Sequence, residues 1–219
     1  MNNVRRIFIM GVLIVCFGFS QSARATTTEK IKATTTTEQA ATTQPAAQTP
    51  PMDAAMMAKW KEYSTPNENH HVLDQLVGSW EYTMKWWMKP DSQPEESTGS
   101  SQSKWIMDGR FVQQTVQGQS MGQPFDGTGI SGYDNAKKAY IGTWFDNMGT
   151  GMMNATGQYD PSTKTLTQEG IFDCPFKGRI NFRWVTKFVD EDTQIFESYA
   201  PDDTGKEFKS MEIVYKRKK

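Results

Sequence analysis

Gly78 to Met88, GSWEYTMKWWM, is the point at which the periodicity of this chain changes. Trp80, Tyr82, Met84, Trp86 and Met88 alternate with Ser79, Glu81, Thr83, Lys85 and Trp87. Alternation at every second residue is the pattern of a strand with one buried face. From here to the C-terminus the same period continues. It predicts further strands near 97–107, 111–119, 127–133, 140–146, 152–159, 165–172, 179–189, 194–200 and 207–217. Turn residues mark the joins, with Asp108-Gly109 the strongest short hairpin signal and Asp134-Asn135, Asp160-Pro161-Ser162 and Asp202-Asp203-Thr204-Gly205 at others. About ten short strands with no helix between them describe an antiparallel up-and-down meander. Closing such a meander removes its exposed edges, so the expected fold is all-β, a closed or nearly closed barrel.

Ahead of the meander, Asp53 caps a helical segment to Tyr63 in which Met56, Met57, Trp60 and Tyr63 share one stripe, read as a packing face, with Pro66 ending it. A second helical turn, His71 to Val77, directs Leu73, Leu76 and Val77 towards a core and stops at Gly78. Further upstream, Thr26 to Pro51 holds ten threonines and no aromatic residue. Such a segment buries too little apolar surface to offset the entropy of ordering it, and reads as a disordered tether. Residues 1–25 carry Arg5 and Arg6, an apolar run from Ile7 to Phe19 and Ala23-Arg24-Ala25, the layout of a secretory signal peptide. The run is shorter than the roughly 20 residues of a membrane-spanning helix, so no transmembrane span is expected in the mature protein. Lipid attachment at Cys16 is disfavoured by the bulk of Val15 before it. The expected order is therefore signal peptide 1–25, linker 26–51 and one barrel domain 52–219, in an exported, periplasmic or secreted protein.

Removing residues 1–25 leaves 21 basic residues against 25 acidic. A mildly acidic chain lacks the basic face of a nucleic-acid binder, and no nucleic-acid partner is expected. Only Cys174 would remain, so no internal disulfide is expected in the mature chain. With no base near it in sequence, Cys174 reads as a small packing residue at a strand end.

Several stretches then fall into a known order: Pro66-x-x-x-His70 with Leu73, LVGSW (76–80), KWWM (85–88), DGRFV (108–112), GQPFDGTGISGYDNAKKAY (122–140), TWFDNMGTGMM (143–153), TGQYD (156–160) and KEFKSMEIVYKRK (206–218). Together they resemble a bacterial family known as domain of unknown function 1579, from about Trp60 to the C-terminus. That resemblance brings no settled activity with it. Gly78-x-Trp80 also looks like the first strand of lipocalins and related calycin barrels. In those proteins the tryptophan lies across the closed end and an arginine of the last strand packs on it. The resemblance implies a barrel-closing pair of Trp80 and Arg217, a cation on an indole worth on the order of 1 kcal/mol. Ten strands are more than the eight of a lipocalin and suggest the fatty-acid-binding or nitrobindin-like branch.

Candidate chemistry is sparse. His70 and His71 are adjacent, so their side chains point apart on a helical turn and are poorly placed to share a metal; no metal site is expected. No histidine lies in a strand, so a haem held by a barrel histidine, as in nitrobindin-like proteins, is not available, and no cofactor is expected. No nucleophile elbow, CxxC or HExxH occurs, and no catalytic residue is assigned. Gly149-Thr150-Gly151 precedes a strand rather than the helix a phosphate loop needs. Strand parity gives the most informative groups. Tyr82 with Met84 and Trp86, Trp105 with Met107, Trp144 with Asp146, and Met152 with Asn154 each share a face. Pointing inward, they would line a cavity for a small hydrophobic or amphipathic ligand. The expected ligand-binding residues are Tyr82, Trp86, Trp105, Arg110, Trp144, Asp146 and Met152, with the two charges at the barrel mouth. Two alternatives remain: a filled-barrel interaction or scaffold domain of the cell envelope, and an enzyme using Asp146 and Arg110 at the rim.

Overall fold

A computed structural model describes residues 53–219 apart from Met121 and Phe176. The signal-peptide and linker expectations, residues 1–51, lie outside the described residues. Ten strands follow one another: β1 Gly78–Trp86, β2 Glu95–Ile106, β3 Phe111–Ser120, β4 Gln123–Asp134, β5 Ala139–Asp146, β6 Met153–Asp160, β7 Thr165–Cys174, β8 Gly178–Asp190, β9 Thr193–Pro201 and β10 Glu207–Arg217. Each pairs antiparallel with its sequence neighbour, and β1 also pairs with β10, so the sheet is a closed barrel. The period-two reading located all ten strands, with bounds shifted by a few residues at most.

Closure depends on the first and last strands meeting in one register, with Trp80 opposite Arg217. The guanidinium lies 4.1 Å from the Trp80 ring centroid. Arg217 Nη1 donates to the Val77 carbonyl (2.6 Å) and Nε to the Glu191 carbonyl (2.9 Å). Trp80 Nε1 donates to the Leu76 carbonyl at 3.0 Å, and the residue is only 1% exposed. Gly78 is required here on two counts. Its φ is +136°, and a Cβ would stand 2.1 Å from Arg217 Nη1.

The N-terminal elements cover this end of the barrel. Helix α1, Ala54–Ser64, is capped as expected: Asp53 Oδ1 accepts from the Met56 amide at 2.7 Å. Its apolar stripe corrects the packing-face expectation. Met56, Met57, Trp60 and Tyr63 are all at least half exposed, and the helix buries no residue. The reason lies in its anchorage, which uses backbone rather than side chains. Asn135 Nδ2 donates to the carbonyls of Glu62, Tyr63 and Thr65, and Arg110 Nη2 donates to that of Ser64 (2.9 Å). Among the described residues, these bonds hold the C-terminal end of α1 to the barrel.

The short helix α2, Glu68–His71, and a 3-10 turn, Val72–Leu76, lead into β1. The 3-10 turn carries Leu73, with no exposed surface, into a cluster with Val112, Tyr140, Leu166 and Phe188. His70 is buried, and its Nδ1 accepts from the Asn67 amide at 3.1 Å to complete a capping box. Its ring meets Tyr133 edge-on. Burial pulls the imidazole pKa below its ordinary value, and the nearby His71 and Arg110 add to this.

Two outcomes follow for stability. Gly78→Ala is expected to lower unfolding free energy by more than about 1–2 kcal/mol, since it adds both backbone strain and a clash; urea midpoints measure it. The unfolded chain holds a proton on His70 at a pH where the folded chain does not. Its contribution is therefore complete above about pH 6.5 and declines as pH falls below that. His70→Gln, compared with the parent at about pH 7.5 and 5.5, should show a shallower loss of midpoint on acidification.

Candidate functional site

Alternate residues of every strand face the interior and form tiers above the end that Leu73 plugs. In the first tier Val112, Tyr140, Leu166 and Phe188 pack with Leu73, with Trp105, Tyr133 and Tyr159 against them, as a solid floor. Tyr140 donates its hydroxyl to the Asn69 carbonyl (3.0 Å), and burial, with Tyr133 and Tyr159 nearby, pushes its pKa up to about 12. The next inward residues along six strands are small or polar: Ser103, Gln114, Ser131, Gly142, Gln168 and Thr186. Further up, Met84, Trp86, Phe125, Trp144, Met153 and Trp184 form a wider apolar tier. The upper two tiers enclose a cavity of about 200 Å³.

The expected site residues separate on this frame. Tyr82, Trp86, Trp144 and Asp146 line the cavity. Tyr82 does so with its ring only, because its hydroxyl reaches the wall where Gly99 and Gly118 leave room; a Cβ at either would lie 2.4 Å from it. Its ring sits 5.7 Å from that of Tyr215, whose pKa is raised by burial and by Tyr82, while Gln114 hydrogen-bonds to it. Trp105 faces inward but belongs to the floor, its Nε1 donating to Asp74 Oδ1 at 2.8 Å. Met152 is exposed because the odd-numbered face of β6 points inward, with Ala155 buried; Met153, opposite Trp144, takes the inward place. The face expected to point inward is therefore the outer one, which also turns Asn154 outward to meet Thr143.

Arg110 and Asp146 lie at opposite ends of the barrel. Arg110 follows β2 at the plugged end and clamps Ser64, whereas Asp146 closes β5 at the open end. The two do not form a joint rim site. Asp146 Oδ2 accepts from Trp144 Nε1 (2.8 Å) and Oδ1 from the Met148 amide (2.9 Å), so both oxygens fix the indole and the turn after β5.

Sequence parity missed Gln114, Gln168, Trp184 and Phe196 in the cavity wall. The available signal was Leu166-x-Gln168-x-Gly170, a glutamine on the buried face of a strand. Gln168 is 7% exposed, and its Nε2 has no hydrogen-bond partner among the described residues.

Outside the barrel, Glu197 on β9 is almost buried and accepts from Lys187 (2.8 Å), Tyr199 (3.1 Å) and Lys209 (3.3 Å). Burial alone would raise its pKa, but these donors hold it below the ordinary value. The carboxylate is fully engaged in tying β8, β9 and β10 together. Cys174, at the end of β7, packs with Ile180 and Phe172. Among the described residues, no cluster of three His, Cys, Asp or Glu is placed to hold a metal ion, and no helix is long and apolar enough to cross a membrane.

Residues 65–217 match the family described as Protein of unknown function (DUF1579). The chain belongs to that family. The barrel also resembles solved structures. The crystal structure of Rv2717c from M. tuberculosis is 14% identical, over 71% of this chain and 100% of that one, with a TM-score of 0.51. At that identity the likeness is one of fold alone. A redesigned β-barrel, 15% identical over 68% of this chain and 96% of that one, has a TM-score of 0.36 and carries no weight. No curated protein is significantly similar. For this DUF1579 member, Asp146→Ala should cost about 1–2 kcal/mol of stability by releasing the Trp144 indole and the Met148 amide. A change in tryptophan emission should accompany it, both readable in one urea titration.

Proposed function

We propose that this protein is exported and binds a small hydrophobic or amphipathic molecule inside its barrel. The observation that supports this most directly is the unfilled interior. Small barrels commonly pack shut with side chains, yet about 200 Å³ remains open above the floor. An apolar cavity of roughly 150 Å³ holds benzene, so the space suits a guest somewhat larger than one six-membered ring. Methionine and aromatic side chains at the wall adapt to an irregular apolar body. Residues 1–25 would direct export and 26–51 would tether the barrel in the envelope.

The interaction-domain reading has one observation in its favour, the exposed Met56, Met57, Trp60 and Tyr63 stripe of α1, while the open space of about 200 Å³ weighs against the filled barrel it assumed. Native mass spectrometry of the protein isolated from its own host is expected to show a bound small molecule and a mature chain beginning at Thr26. Recovery of only the empty chain, with no small molecule displaced on denaturation, would count against ligand binding. An N-terminus at Met1 in every fraction would count against export.

A further inference from the structure

We infer that the ligand of this barrel is uncharged and carries a hydrogen-bond acceptor, which enters first and accepts from Gln168 just above the floor. The inference rests on the cavity being a binding site and goes further by naming the ligand's chemistry and orientation.

Three observations carry it. Gln168 is more than nine-tenths buried and lines the cavity, and its Nε2 is unpartnered among the described residues. A buried amide donor left without a partner is costly, which makes it a strong recognition element for any guest that supplies an acceptor. Second, the amide lies against glycine. A Cβ at Gly142 would stand 3.2 Å from Gln168 Nε2 and 3.5 Å from the Trp184 ring, so a side chain at 142 would press on the amide and displace it from the cavity wall. Third, among the described residues the only charged one lining the cavity is Asp146, at the open end and already engaged by Trp144 and Met148. None of the described residues lining the polar tier is a cation, so an anionic head would be buried there without a counter-charge. Polarity and space thus coincide at the deep end, with the aromatic and methionine tier above to hold the apolar body. Ketones, lactones, esters and amides on a small ring have this form.

Three matched probes test it: acetophenone, with an acceptor, ethylbenzene, nearly the same shape without one, and benzoate, an anion. Affinities are measured by NMR titration of the parent and of Gln168→Leu. The expected result is that Gln168→Leu weakens acetophenone by about three- to tenfold while ethylbenzene binds as well or better, and that benzoate binds neither protein. The Gln168 side-chain amide signal should shift with acetophenone and not with ethylbenzene. Without ligand, Gln168→Leu should melt at the parent's temperature or above, because it removes an unpartnered polar group. Equal changes for acetophenone and ethylbenzene, or benzoate binding as tightly as acetophenone, would overturn the inference while leaving the cavity as a site. Failure of all three to bind the parent would overturn the binding function itself.

Discussion

Arg217 stacked on Trp80 joins the last strand to the first, and the remaining structure depends on that junction. The cation and the ring contribute on the order of 1 kcal/mol directly. Their larger effect comes from position. Arg217 spends two further N–H groups on the carbonyls of Val77 and Glu191, so one side chain ties together the segment that leads into β1, the β8–β9 connection and β10. With that register set, every strand has two partners and no edge is left for another chain to pair with. The guanidinium occupies the position that a side chain at residue 78 would fill, so the glycine and the arginine are required together.

The closed end is built in layers with different duties. Leu73 and the first inward residues form a dry floor, held by dispersion and apolar burial. Above them the wall changes to glycine, serine, threonine and glutamine, and the interior opens. Charge is kept to the outside, where Lys187, Lys209 and Tyr199 surround Glu197, and to the rim, where Asp146 is fixed by two donors. An interior that is uncharged, part polar and part empty is less stable than a filled one. Under the proposed function, a bound guest would offset that cost by filling the space and pairing the unpartnered glutamine.

The N-terminal helix shows how local pattern and tertiary role diverge. Its four apolar residues share a stripe, which on an isolated helix means a buried face. The barrel instead grips the C-terminal end of the helix through Asn135 and Arg110, both of which hold backbone carbonyls. Arg110, next to a hairpin turn, looks from sequence like a rim charge available to a ligand. That turn lies at the plugged end, and the distinction depends on how many strand reversals precede it.

By itself the sequence determined the ten strands, the turns between them and the inward direction of Leu73, because side-chain alternation and turn chemistry act over a few residues at a time; the Trp80–Arg217 pair came from the resemblance to calycin barrels. Family membership was legible for the same reason, in short motifs in a fixed order. Only the tertiary structure decided which end of the barrel each loop occupies, and it therefore separated Arg110 from Asp146. It also decided which face of β6 points inward, with Met153 inside and Met152 outside, and it gathered Gln114, Gln168 and Gly142 from distant strands to one cavity wall. Such facts depend on strand tilt, register and the summed volume of inward side chains, which no local stretch of residues contains.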